Sequence, residues 1–269
     1  MTTHFADRLA TAVMRRESQI VVGLDPHPQS VAGGLAGAED LCRRVIATVA
    51  PAAVAVKIQI ACFERYGAEG WAAWQRLAAF AADAGLLVIA DAKRGDIGLT
   101  SQAYAAALLD GPVDALTVNP MMGDDAVAPF IARAAQTGRG VFVLVRTSNP
   151  GAALLQDVEL ADGRLWHQLL ADEVSRWGAE LVGESGLSSV GAVVGATVPE
   201  HLVDLRARMP QQPLLLPGAG AQGGRPEDLA AAFANHPAGG LVTASRSIMF
   251  ADRPREAAED LRSRVQAVL

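Results

Sequence analysis

The residues best suited to chemistry fall in one short stretch, Leu86-Leu-Val-Ile-Ala-Asp-Ala-Lys-Arg-Gly-Asp-Ile-Gly98. Leu86 to Ala90 reads as a buried strand, because a short apolar run bounded by turn residues suits a core strand. Asp91 and Lys93 follow, two apart. Side chains alternate with period two, so both point to one side if the strand continues. Gly95 permits a turn, and Asp96 comes next. Two carboxylates and an ammonium thus gather at the carboxyl end of a buried strand, where parallel α/β folds keep their ligand chemistry.

Lysine usage sharpens this reading. Of the 23 Lys plus Arg residues, only Lys57 and Lys93 are lysines. Arg holds its proton at ordinary pH, whereas Lys can release one. Two lysines at the polar ends of apolar strands, in a chain otherwise committed to Arg, suggest a need for a transferable proton.

Strands must carry these groups. Ala53 to Ile60 alternates, with Val54, Val56, Ile58 and Ile60 on one side and Ala53, Ala55, Lys57 and Gln59 on the other. The β-branched side would pack against helices, and the small side would face a crowded barrel interior with a polar mouth. Further strands are expected at Gln19 to Leu24, Val113 to Val118, Gly140 to Arg146, Val190 to Gly195, Pro213 to Leu216 and Gly240 to Ala244. Helical patterns separate them: Glu39 to Val49, Ala68 to Ala84, a helix capped by Thr100, Asp124 to Gln136, Arg164 to Trp177, and short helices opened by Pro199 and Pro226. An amphipathic helix from Thr3 to Arg16, with Phe5, Leu9, Ala12 and Val13 on one stripe, precedes the first strand. A helix from Arg253 to Val268 ends the chain. Strands and helices alternating about eight times predict an α/β fold, a (β/α)8 TIM barrel forming a single domain over residues 1–269. A doubly wound open sheet is the runner-up.

The 269 residues are 51% apolar and 19% charged, enough for a large core. Net charge is −6 with no basic block, which argues against a nucleic-acid partner. No apolar run approaches the ~18 residues of a membrane span. Charges at Asp7, Arg8, Arg15 and Arg16 come too early for a signal peptide. Cys42 and Cys62 have no metal or redox spacing, and the five histidines look scattered without a ligand motif. A soluble cytoplasmic protein without a metal is the expectation.

The run Pro217-Gly-Ala-Gly-Ala-Gln-Gly-Gly224 follows the seventh strand, and Arg246 follows the eighth. Backbone N–H groups in a Gly-rich loop can approach an anion closely, the helix opened by Pro226 would aim its positive end there, and Arg supplies a bidentate charge. Loops after strands seven and eight commonly form the phosphate site of such barrels. Thr147-Ser148 and Asp25-Pro26 also lie at strand ends, where turn chemistry and ligand binding are both open. The loop from Thr147 to about Gly163 is long enough to suggest function.

Taken together, the residues resemble orotidine 5′-phosphate decarboxylases, over nearly the whole chain and in the longer, bacterial form. The resemblance rests on Gly23-Leu24-Asp25-Pro26, Val56-Lys57, Asp91-Ala-Lys-Arg-Gly-Asp-Ile-Gly98, Pro217-Gly218 through Gln222-Gly223-Gly224, and Arg246-Ser247-Ile248. It implies decarboxylation of orotidine 5′-monophosphate without a cofactor, on the route that makes uridine 5′-monophosphate. Lys93 would protonate C6 of the pyrimidine, and Asp91 would sit by the scissile carboxylate and hold Lys93. Lys57 would complete the charge array and touch the ribose, whose hydroxyls Asp25 would bind. Asp96 and Thr100 would reach into the partner subunit's site, making the active unit a homodimer. Ser148, with Thr147, would bind the pyrimidine edge, while Pro217 would pack on the base. Gln222, Gly223, Gly224 and Arg246 would hold the phosphate. Ser245 departs from the family pattern, because many members carry Gly before that Arg.

Three other readings remain open at this level. A Mg²⁺-dependent sugar-phosphate decarboxylase or synthase of the same superfamily would use the carboxylates as metal ligands. A Schiff-base aldolase would use a lysine as nucleophile. A non-catalytic barrel would only bind phosphometabolites.

Overall fold

Residues 4–269 are described by a computed structural model. Eight parallel strands close into a barrel in chain order. They are β1 (Ile20–Leu24), β2 (Ala55–Gln59), β3 (Leu87–Arg94), β4 (Ala115–Val118), β5 (Gly140–Arg146), β6 (Val190–Val194), β7 (Leu214–Pro217) and β8 (Gly240–Ala244). Pairing of β1 with β8 completes the ring. The barrel expected from the sequence is therefore present, and the open sheet is not.

Helices α1 (Phe5–Arg16), α2 (Gly34–Val49), α3 (Ala61–Glu64), α4 (Gly67–Asp83), α5 (Gly98–Leu109) and α6 (Asp124–Thr137) precede β5. After it come α7 (Ala153–Gln156), α8 (Trp166–Gly178), α9 (Leu202–Arg208), α10 (Arg246–Met249) and α11 (Pro254–Gln266). Thr3, expected to start the first helix, lies outside the described residues. Thr100 does not cap α5. Gly98 opens that helix behind Ile97, and Thr100 sits in its first turn. The segment at Pro226 is only a three-residue 3₁₀ turn, Pro226–Asp228, followed by another at Ala230–Phe233. No helix dipole of useful length points from there at the Gly-rich loop, which corrects the expectation.

The alternation in β2 organises the site. Val56, Ile58 and Ile60 pack outward in the main core between barrel and helices, while Ala55 belongs to the inner cluster on the barrel axis. Ala53 and Val54 reverse the expected sides. They precede the strand, and the period of two holds only once pairing begins at Ala55. In register, Gln59 stands beside Asp91, and Lys57 beside Gly23. Polar side chains of neighbouring strands thus meet at the carboxyl end of the barrel.

The other end is plugged by α1. Phe5, Leu9 and Val13 are buried against inward side chains of the strands, with the Phe5 ring edge-on to Phe142 at 5.9 Å. A Cβ at Gly140 would lie 2.3 Å from the Phe5 ring, so this helix seats only over glycine. Burying each of these side chains contributes roughly 1.5–3 kcal/mol. Sealing that end leaves one mouth to the barrel. Among the described residues, no helix is long and apolar enough to cross a membrane.

Candidate active site

A cavity of about 610 Å³ opens at the carboxyl end of the strands. Of the residues singled out by sequence, Asp25, Lys57, Asp91, Lys93, Thr147, Ser148, Pro217, Gln222 and Arg246 line it. Asp96 and Thr100 do not; Asp96 lies half-buried in the loop after β3, and Thr100 is exposed in the first turn of α5. Gly223 and Gly224 do not line it either. Their N–H groups donate within the loop, to the carbonyls of Gly220 at 2.8 Å and Gly218 at 3.0 Å. In this conformation the loop closes into its own turn, with both amides engaged internally.

Asp91 is the hub. Lys57 donates to one carboxylate oxygen, and Lys93 donates to the other at 2.5 Å. Thr117 adds a bond at 3.2 Å and Gln59 one at 3.3 Å. Burial by itself would raise the Asp91 carboxyl, but the two ammonium charges and their hydrogen bonds outweigh it and hold the group at about 2. For Lys57, burial pulls the other way from Asp91 and Asp25, and the two carboxylates win, raising it above its ordinary 10.5. Lys57 and Asp91 thus form an ammonium–carboxylate pair at neutral pH, and both are buried. Lys93, by contrast, leaves its side chain 46% exposed to the cavity mouth.

Local backbone chemistry aims Lys93. Its φ is +45°, a left-handed value uncommon outside glycine, and the pairing of β3 with β4 shifts register between Ala90 and Arg94. A bulge here re-aims a side chain at the strand end. The Lys93 N–H donates to Thr117 Oγ1 at 2.9 Å, which holds the strained residue in place. Such strain costs of order 1–3 kcal/mol and persists where surrounding contacts over-determine it.

Two buried oxygens in the cavity have no hydrogen-bond partner among the described residues: Asp25 Oδ1 and Thr243 Oγ1. Asp25 Oδ1 lies 3.9 Å from Lys57 Nζ. Unsatisfied buried polar atoms are costly, so both suit hydroxyl or amide groups of a bound molecule.

Across the mouth, Ser148 Oγ donates to Gln222 Oε1 at 2.8 Å, linking the loop after β5 to the Gly-rich loop after β7. Gly218 turns that second loop with φ +102°. Arg246 lies on the far rim, exposed, with a weak 3.4 Å contact to the Ala221 carbonyl. Its guanidinium has no carboxylate partner among the described residues and is free for an anion. Ser245 is accommodated by Gly23. A Cβ added at Gly23 would sit 1.9 Å from Ser245 Oγ and 2.9 Å from its Cβ.

Sequence reasoning missed Gln59, Thr117 and Thr243 as site residues, although all three line the cavity. Strand parity could have found Thr117, two residues beyond the inward Ala115. His27, Asn149 and Phe250 sit on irregular loops with no such signal. The reading of the histidines as scattered is also corrected. His167 and His201 lie with ring centroids 4.6 Å apart and planes tilted at 54°, beside Asp157, and the three offer ligand atoms within 4.8 Å of one another.

Comparisons with known proteins identify the family. Residues 18–261 match the family described as orotidine 5′-phosphate decarboxylase / HUMPS. The chain is 40% identical to the orotidine 5′-phosphate decarboxylase of Rhodopirellula baltica, over 94% of this chain and 90% of the relative. It is 40% identical to that of Deinococcus radiodurans, over 100% and 99%. The solved structure of Leishmania donovani OMP decarboxylase superposes with a TM-score of 0.85 at 35% identity, covering 99% of each chain. The chain belongs to the orotidine 5′-phosphate decarboxylase family.

Proposed function

We propose that this enzyme converts orotidine 5′-monophosphate to uridine 5′-monophosphate without a cofactor, through a C6 carbanion that Lys93 stabilises and protonates. The observation that carries this reading is the Lys57–Asp91–Lys93 array, buried at one end and open to the cavity at Lys93. The C6–carboxylate bond breaks and its electron pair stays on C6. CO₂ leaves, and the Lys93 ammonium gives its proton to C6. Solvent then restores the lysine. An Arg at this position would keep the charge and lose the transferable proton.

Asp91 orients Lys93 and stands beside the departing carboxylate. Asp25, with its unpartnered oxygen near Lys57, takes ribose hydroxyls. Thr147 and Ser148 read the pyrimidine edge, and Pro217 packs on the base. Gln222 and Arg246 hold the phosphate. One preorganised electrostatic contact is worth roughly 3–4 kcal/mol, whereas demanding reactions need up to ~20 kcal/mol. Much of the remainder comes from phosphate binding and closure of the two loops that Ser148 and Gln222 join.

The array also favours metal-free chemistry over a Mg²⁺-dependent relative. Both oxygens of Asp91 are already engaged by ammonium groups, and two such charges repel a divalent cation. A homodimer with shared sites is part of the proposal, Asp96 and Thr100 entering the partner's cavity. Exposed Ile97 and Leu99 at the start of α5, and exposed Met121 and Met122 in the turn after β4, support it, since exposed apolar side chains mark contact surfaces. Free, buried Cys42 and Cys62 support a reducing, cytoplasmic location.

The test is loss of pyrimidine absorbance when the protein is mixed with orotidine 5′-monophosphate in EDTA. Turnover is expected. No turnover in EDTA that appears with added Mg²⁺ would contradict the cofactor-free mechanism, and none under either condition would contradict the assigned substrate.

A further inference from the structure

A fully buried imidazole lies outside the cavity, on the second residue of α8. His167 Nδ1 is 2.8 Å from the Gln156 carbonyl and 3.1 Å from Asp157 Oδ1. A carbonyl only accepts, so Nδ1 carries the hydrogen and donates. Nε2 then holds the lone pair, buried and without a partner among the described residues. Burial pushes the imidazole below its ordinary 6.5, which keeps it neutral.

The two residues it grips connect to the start of the loop after β5. Gln156 lines the cavity and takes the Thr147 N–H on its Oε1 at 2.8 Å. Asp157 receives two hydrogen bonds from Arg146, at 2.8 and 2.9 Å, and Arg146 also donates to the Thr147 carbonyl at 2.7 Å. The far end of the loop after β5 is thereby tied back to its beginning, on either side of Thr147. Ser148 follows directly and makes the bridge to Gln222.

Metal binding by Asp157, His167 and His201 is disfavoured on the same contacts. The Asp157 carboxylate is already spanned by the Arg146 guanidinium, whose charge repels a cation.

We infer that His167 is a positioning residue for the pyrimidine end of the site: its Nδ1–H clamps Gln156 and Asp157, and through them sets Thr147 and Ser148. This rests on the function proposed above. Contacts to the base made alike in ground and transition states affect KM rather than kcat.

The test compares three variants with the native enzyme. Asn places an amide donor where Nδ1 stood, Gln places one near Nε2, and Phe fills the space with no donor. For His167→Phe and His167→Gln, KM for orotidine 5′-monophosphate is expected to rise at least tenfold with kcat within threefold. His167→Asn should stay within threefold on both. A KM within twofold of native in the Phe and Gln variants, or an Asn variant no better than they are, would overturn the inference. Amide hydrogen exchange over residues 147–160, without substrate, reads the clamp independently. Faster exchange in the Phe and Gln variants but not in Asn supports it, and unchanged exchange in all three overturns it. Native enzyme with no turnover would refute the assigned reaction alone, leaving the exchange result to decide the clamp.

Discussion

Asp91→Asn removes one charge from the centre of the site and almost nothing else. Asp91 is 4% exposed and is held by two ammonium groups. Asn keeps the shape and an acceptor oxygen. Lys57, 6% exposed, would retain Asp25 at 3.9 Å as its nearest counter-charge. Removing one member of a buried pair costs roughly 3–5 kcal/mol, and the surviving Asp25 contact places this case near the lower end. At roughly 2 °C per kcal/mol for a chain of this size, Tm should fall by about 6 °C. The pH dependence gives a sharper test. In the native protein Lys57 is raised above 10.5, so its stabilisation is fully present below 10.5 and is lost only as pH climbs through the folded value. Without Asp91, burial, the largest influence on Lys57, dominates and lowers it. The unfolded chain then binds a proton that the folded chain gives up. The variant's deficit should therefore shrink as pH rises towards 10.5, by at most ~1.4 kcal/mol per pH unit. Thermal unfolding of both proteins near neutrality and about two units higher reads this directly. A variant as stable as native, or a deficit that grows with pH, would refute the reasoning.

Other expectations follow from the same contacts. Arg246→Ala should lower kcat/KM by orders of magnitude in steady-state assays, and a change under tenfold would remove Arg246 from phosphate binding. Gly23→Ala should cost about 1–3 kcal/mol through overpacking against Ser245. Ser245→Gly in the same chain should restore Tm, and a double variant no more stable than Gly23→Ala would show the clash lies elsewhere. Mixing the inactive Lys93→Ala and Asp96→Ala proteins should regain activity through hybrid dimers, each with one intact site. Mixtures as inactive as their components would contradict shared sites.

Much of the fold was legible because its signals are local. The boundaries of β5 and β8 match expectation, where apolar runs start at Gly140 and Gly240. Strand β3 runs past its apolar stretch to Arg94, because the bulge at Lys93 keeps the chain paired while it turns. The Asp91–Lys93 contact was readable from spacing, but the left-handed Lys93 that accompanies it was not. Period-two reasoning assumes a regular strand, and this one is irregular where it functions. Alternation placed Lys57 and Gln59 inward yet misplaced Ala53 and Val54, which lie before pairing begins. The clamp of His167 on Gln156 and Asp157 joins a loop to a helix start, and His201 joins it from another crossover. Such contacts depend on how a loop folds back, and no periodic pattern encodes that. The Gly-rich run signalled a turn correctly, but which of its amides remain free depends on the turn's internal bonds.

The central claim is that Lys93 supplies both charge and proton to C6, and Lys93→Arg separates the two. Arg retains the positive charge beside Asp91 and cannot release a proton at working pH. Single-turnover decarboxylation of orotidine 5′-monophosphate in EDTA, native against Lys93→Arg, measures the chemical step. A loss of a thousandfold or more, about 4 kcal/mol, with nucleotide still bound, is the predicted result. A rate within tenfold of native would contradict the account and assign the proton to another donor.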